Sequence, residues 1–259
     1  MGSLYQFAET EMLAFILVFL RVVSFMVSWA ILGTAAVPMP VKILTSLVIT
    51  FVLFPVIGWK QLGVDLSSGI VIFLAAREVA IGLTIGFFTA MFFQGIAIGG
   101  QIISMSMGLS SAQVFNPTMN VEGSAVEQFK VMLGSLFFLF INGHHHFLSG
   151  FAASFKLVPI STVGIDFNAF AGMGPLIGEV MVIGIKVAAP VMISIFFVNI
   201  AMGIVGRAVP QINVLVTSLP ANILVGLATL IVSLPLFSYE MREMLESMTT
   251  RLFEMMKNL

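Results

Sequence analysis

The sequence predicts an all-α membrane protein with about six hydrophobic segments, some of them broken helices. Three observations carry that prediction. Hydrophobic residues make up 59% of the 259 positions and charged residues only 9%, whereas soluble domains carry about a quarter charged. Several apolar runs approach or exceed the roughly 20 residues a spanning helix needs. Finally, Arg21, Arg77, Glu78 and Lys186 fall inside those runs. A charge there costs about 2.5–3.5 kcal/mol unless it is paired or faces a polar interior, so the helices carrying these residues should meet protein rather than lipid.

The composition also excludes several functions. A net charge of −1 lacks the clustered basic face that nucleic acid requires. The absence of cysteine removes disulfide, thiol and cysteine-ligated metal chemistry. The opening MGSLYQFAETEM has Glu9 and Glu11 but no basic n-region. No cleaved signal peptide is therefore expected, and the first apolar segment should persist in the mature protein. No linker or low-complexity tract divides the chain, which is expected to form one domain over 1–259.

Met12 to Leu32 is the first segment. The turn Pro38-Met39-Pro40 leads to the second, Val41 to Gly58, with Lys42 at its mouth and Trp59-Lys60 as an interfacial anchor. A polar loop to Ser68 precedes the third, Gly69 to about Gly100. Gly82, Gly86 and Ala90, then Gly95 and Gly99, give this segment a small-residue groove where another backbone can approach. Glu122, Glu127 and Lys130 read as a polar re-entry before the fourth segment, Val131 to about Phe155. A second polar loop, Lys156 to Asn168, leads into Ala169 to Val205, whose start Gly172, Gly174 and Pro175 should break. Gly206 to Gln211 reads as a compact loop. Ile212 to Phe237 is the last apolar segment, interrupted at Pro220. From about 239 to 259 the chain is an amphipathic helix, with Met241, Leu245, Met248, Leu252, Met255 and Leu259 on one face. With both termini cytoplasmic, five Lys/Arg fall on that side against three opposite, a slight positive-inside bias.

One stretch organises the rest: Gln101 to Asn120, QIISMSMGLSSAQVFNPTMN. It is uncharged, yet too rich in Gly, Ser, Gln and Asn to lie against lipid, and it ends in the turn signal Asn116-Pro117. Non-helical backbone at membrane depth survives only in protein or along a cavity, so this stretch reads as the wall or stopper of an internal passage. Met105 and Met107 suit a seal, because unbranched thioethers repack at low cost.

Little points to catalysis. There is no phosphate loop, no GxSxG and no HExxH, and neither a metal nor a cofactor is expected. The consecutive His144-His145-His146 point about 100° apart on a helix and lack the i, i+4 spacing of chelating histidines. They read as an interhelical or interfacial polar cluster, with a proton relay as the other reading. Arg77-Glu78 reads as a charge pair at a kink or helix contact, and Lys186 as the partner of a carboxylate. Glu122 and Glu127, five apart, do not share a face.

Several motifs together resemble the FliR family, the R component of the flagellar type III export gate, related to the injectisome T component. They are Met107-Gly108-Leu109-Ser110, Phe115-Asn116-Pro117, Asn142-Gly143-His144, Ser154-Phe155, Val158-Pro159, Gly206-Arg207, Val209 to Val214, and Leu219-Pro220. The resemblance runs in order through nearly the whole chain. One departure is Asn116, where the family often has Asp. The resemblance implies helical hairpins packed with FliP and FliQ subunits in a right-handed helical assembly, one R subunit per complex. That assembly is the entry pore for unfolded flagellar substrates, in the inner membrane at the basal body. FlhB would wrap its cytoplasmic mouth and FlhA would lie below. A central loop would close the pore at rest; it corresponds here to Met105, Met107, Gly108, Leu109, Ser110, Gln113, Phe115, Asn116, Pro117 and Met119. Arg77, Glu78, Lys186, His144 and Arg207 would be buried or interhelical polar residues. The alternative is a conventional six-span transporter or channel for small solutes.

Overall fold

The structure, a computed structural model, describes residues 9–30, 33, 37–57, 69–110, 124–160 and 173–257. These form eight helices and no strand: α1 (Glu9–Ser28), α2 (Met39–Leu53), α3 (Ile70–Met107), α4 (Ala125–Phe140), α5 (Gly143–Leu157), α6 (Met173–Ala208), α7 (Val214–Val232) and α8 (Leu234–Lys257). The all-α class holds. Three helices, α1, α3 and α6, are long and apolar enough to cross a membrane, and the broken pairs α4–α5 and α7–α8 raise the count to five. The expected six is reduced because α2, at 15 residues, is only about 22 Å long, short of a hydrocarbon core of about 30 Å.

The boundaries differ from expectation in instructive ways. The third segment does not end near Gly100. Its helix continues through Gln101–Met107, taking in the first third of the uncharged stretch. The fourth segment is two helices, because Asn142 adopts φ 58° between them, the left-handed conformation that ends a helix. Gly174 and Pro175, expected to break the sixth helix, instead begin it. Proline in a first turn removes only an N–H that has no helical partner anyway. Pro40 in α2 and Pro235 in α8 occupy the same kind of position. Pro190 and Pro220 lie inside continuous helices.

The described chain falls into two compact units. The first takes residues within 1–91, 143–174 and 247–259. In it, α1 and α2 form a hairpin closed by Phe15 against Phe51 and Phe54, with ring centroids 5.0 and 5.4 Å apart. Lys42 is buried there and donates to the Gly33 carbonyl at 2.9 Å. Helix α1 also lies directly on α3. A Cβ at Gly82 would collide with the Arg21 carbonyl oxygen, and one at Gly86 would fall 3.0 Å from that of Phe25. Phe25 stacks on Phe151 of α5 at 4.3 Å.

The second unit takes residues within 92–142 and 175–246. Here the other half of the small-residue groove receives α6. A Cβ at Gly99 would meet the Gly184 carbonyl oxygen at 3.0 Å, and one at Gly184 would meet Ile98 at 2.7 Å. Phe92, Phe93 and Phe138 make an aromatic cluster between α3 and α4. The amphipathic tail is part of α8, which starts five residues earlier than expected. Of its apolar face, Met241 and Leu245 are buried in this unit, and Met248, Leu252 and Met255 are buried in the first.

Candidate functional site

The uncharged stretch has a fixed root. Gly108, with φ 79°, terminates α3. Its N–H donates to the Met105 carbonyl at 3.1 Å, and the Leu109 N–H donates to the Ser104 carbonyl at 3.0 Å. That pair of bonds is the Schellman motif, in which glycine takes the left-handed position without a Cβ penalty. Leu109, the residue after the glycine, packs on a core formed by Ile103, Met107, Val126, Ala188, Val191, Ile195 and Leu230. The Ser110 hydroxyl lies 3.4 Å from that of Ser104.

The two methionines of the root differ. Met107 is fully buried, and a Cβ on Gly226 of α7 would fall 2.7–2.9 Å from its side-chain atoms. It anchors α3 to α7. Met105 is 63% exposed and points away from that core. Beyond the stretch, the next helix start is fixed. Ser124 caps α4: its hydroxyl accepts from the Glu127 N–H at 3.1 Å while the Glu127 carboxylate accepts from the Ser124 N–H at 3.3 Å. This capping box satisfies two donors otherwise orphaned at a helix start. Helix α4 begins against α3, since a Cβ on Gly100 would meet the Glu127 Cα at 2.6 Å. Gln113, Phe115, Asn116, Pro117 and Met119 lie outside the described residues.

The charged residues form a second constellation. Arg21 of α1 makes a paired contact with Glu78 of α3, through Nε to Oε2 and through Nη2 to Oε1 at 2.9 Å. Its guanidinium also donates to the Ser154 hydroxyl at 3.3 Å and the Val158 carbonyl at 3.0 Å, and stacks over Phe155 at 4.3 Å. Arg77 donates to Glu78 at 3.3 Å and to the Pro159 carbonyl at 3.1 Å. Arg21, Arg77 and Glu78 are all buried, so this is a solvent-free clamp of α1, α3 and the end of α5.

The other polar candidates scatter. Lys186 of α6 lies 3.6 Å from Glu240 of α8 and is half exposed. Arg207 is exposed in the last turn of α6. His144 stacks against His145 at 4.2 Å, and its Nδ1 is buried without a hydrogen-bond partner among the described residues. No group of three potential metal ligands occurs among the described residues.

Two residues carry more than the sequence reading gave them. Arg21 is the centre of the clamp; the available signal was a cation in one apolar segment and a carboxylate in a neighbouring one. Lys130, read as part of a polar re-entry, is instead fully buried, with Nζ 4.2 Å from the centre of the Phe237 ring. It shares a face with Val126, Gly134 and Phe138, all buried, and that four-residue spacing was the signal.

These features define a class: an all-helical membrane protein with a buried cluster of charges (Arg21, Arg77 and Glu78) and a segment of low charge between two capped helix ends. The model of the bacterial export proteins, family 1, matches residues 12–248. Among the relatives, the flagellar biosynthetic protein FliR of Bacillus subtilis is 32% identical over 222 residues, 85% of each chain. FliR of Aquifex aeolicus is 26% identical over 234 residues, 90% of each chain. FliR of Escherichia coli is 28% identical over 219 residues, 85% of this chain and 83% of the relative. The chain belongs to this family of bacterial export proteins, that of FliR.

Proposed function

We propose that the protein is a non-enzymatic subunit of a flagellar type III export gate in the bacterial inner membrane, at the basal body. It assembles with FliP and FliQ around a pore for unfolded flagellar proteins, with FlhB and FlhA at the cytoplasmic side, and its residues 111–123 close that pore at rest. The observation that carries this reading is the pair of fixed ends. Gly108 and Ser124 are both locked by capping motifs, and the fifteen residues between them carry a single charge, Glu122. The returning end packs at Gly100, about 10 Å along α3 from Met107. Because both helix ends are capped on their own, movement of the residues between them need not unravel the helices that bear them.

Helix length supports an assembly. The exposed apolar face of α6 runs from Ile177 to Ile204, about 40 Å of helix axis. That exceeds a hydrocarbon core of about 30 Å by more than a usual tilt of about 20° absorbs, so neighbouring protein is needed to cover it. The test uses the natural lack of cysteine. Phe115→Cys is introduced into the chain co-expressed with FliP and FliQ, and a flagellar substrate bearing one cysteine is stalled in passage. The expected result is a disulfide between the two, with none from Phe140→Cys, an exposed outward position. Equal cross-linking from both positions, or none from position 115, would contradict the reading.

A further inference from the structure

We propose that the cavity between the ends of α2 and α5 binds one anionic phospholipid, with an acyl chain inside and the phosphate on Lys156. The cavity measures about 300 Å³. Its walls are apolar: Leu53, Val56 and Ile57 from the end of α2, and Ala152 and Ala153 from α5. Lys156 is the one charged residue of the lining. The Ser149 hydroxyl, which also lines it, donates to its own helix at the His146 carbonyl, so it offers a ligand no proton. Small-molecule sites span roughly 300–1,000 Å³, and this cavity, at the lower limit, suits part of one acyl chain rather than a whole lipid.

The charge is placed where a headgroup would need it. Lys156 sits in the last turn of α5, is exposed, and makes no ion pair among the described residues. The nearby carbonyls of Val158 and Pro159 accept from Arg21 and Arg77. In sequence, Trp59 and Lys60 follow α2, and Ser161, Thr162, Asp166 and Asn168 follow α5. The proposal sets the cavity mouth at a hydrocarbon–water boundary, with the apolar wall behind and a cation at the rim. A free anion would use the lysine but none of the apolar wall, and a zwitterionic lipid would use the wall with less gain from the lysine. An anionic phospholipid uses both. The proposal is independent of how residues 111–123 act.

Native mass spectrometry of the full-length chain in detergent tests it, with phosphatidylglycerol and phosphatidylcholine of identical acyl chains and with glycerol phosphate as the headgroup alone. One lysine near an anionic headgroup contributes about a fivefold preference, so phosphatidylglycerol should bind about that much more tightly. Lys156→Gln should abolish the preference, Lys156→Arg should keep it, and Ala153→Phe, which fills the cavity, should weaken both lipids. Glycerol phosphate should compete with neither. Equal binding of the two lipids to the unaltered chain, a preference that survives Lys156→Gln, or displacement by glycerol phosphate would each overturn the proposal. Binding of neither lipid would assign the cavity to a protein neighbour and overturn it too. Lys156→Gln changes an exposed side chain and leaves the fold intact, so its result stands even if Ala153→Phe does not fold.

Discussion

Arg21 shows what a membrane-class core asks of a charge. Its five N–H donors face a carboxylate, a hydroxyl and a carbonyl, and an aromatic ring covers its plane. Breaking a buried pair by removing one partner strands the other, at a cost of about 3–5 kcal/mol, whereas replacing both with apolar groups is often neutral. Arg21→Met and Glu78→Gln should therefore each destabilise the purified chain by about that amount, while Arg21→Met with Glu78→Met should recover much of the loss. Denaturant unfolding of the three variants and the unaltered chain measures this; a double variant as destabilised as the sum of the single losses would refute the pairing. Lys130 presents the opposite case. It is fully buried over Phe237 with no hydrogen-bond acceptor among the described residues, and a cation–π contact is worth about 2 kcal/mol at best when desolvated, less than the several kcal/mol such burial costs. Lys130→Met is expected to raise the melting temperature of the isolated chain. A lowered melting temperature would mean that the ammonium has a stabilising partner.

At the scale of the element, glycines sort by what stands opposite. Gly82 faces the Arg21 carbonyl, a backbone atom that cannot rotate away, whereas Gly203 has open space around it. Gly82→Ala should separate α1 from α3 and cost about 1–3 kcal/mol. Gly203→Ala should stabilise the isolated chain by up to about 1 kcal/mol through helix propensity. If Gly203→Ala nonetheless impairs assembly with FliP and FliQ, a neighbouring helix approaches there. Thermal unfolding and co-purification distinguish the two effects.

Much of the element layout is legible in the sequence. Apolar runs located most helices, and the small-residue groove did mark close backbone approach, at Gly82 and Gly86 for α1 and at Gly99 for α6. Helix ends were less legible, for identifiable reasons. Asn142 lies in a run apolar enough to span, and only its left-handed backbone separates α4 from α5. Gly174-Pro175 reads as a breaker by composition, yet in a first turn proline costs nothing. Of the candidate site, the charges at positions 77 and 78 could be read as a helix contact, but their partner could not be chosen, because pairing Arg21 with Glu78 depends on which helices touch. Met105 and Met107 are alike in sequence. Only the position of Gly226 makes one of them an anchor and leaves the other exposed.

For the whole molecule, the consequential feature is the length and fixity of two helices. Helices α3 and α6, of 38 and 36 residues, are about 57 and 54 Å long, and each is pinned by glycine contacts and buried side chains. The segment they help position has no cross-link of its own, as the chain lacks cysteine. The role proposed for it, as the closure of a gate, is tested most directly by ion conductance. Deleting residues 111–117 spares the Schellman end at Gly108 and the capping box at Ser124, so the complex with FliP and FliQ should still form. Reconstituted in liposomes, the deleted complex should pass ions well above the level of the intact one. An assembled complex whose conductance is unchanged by the deletion would contradict the account.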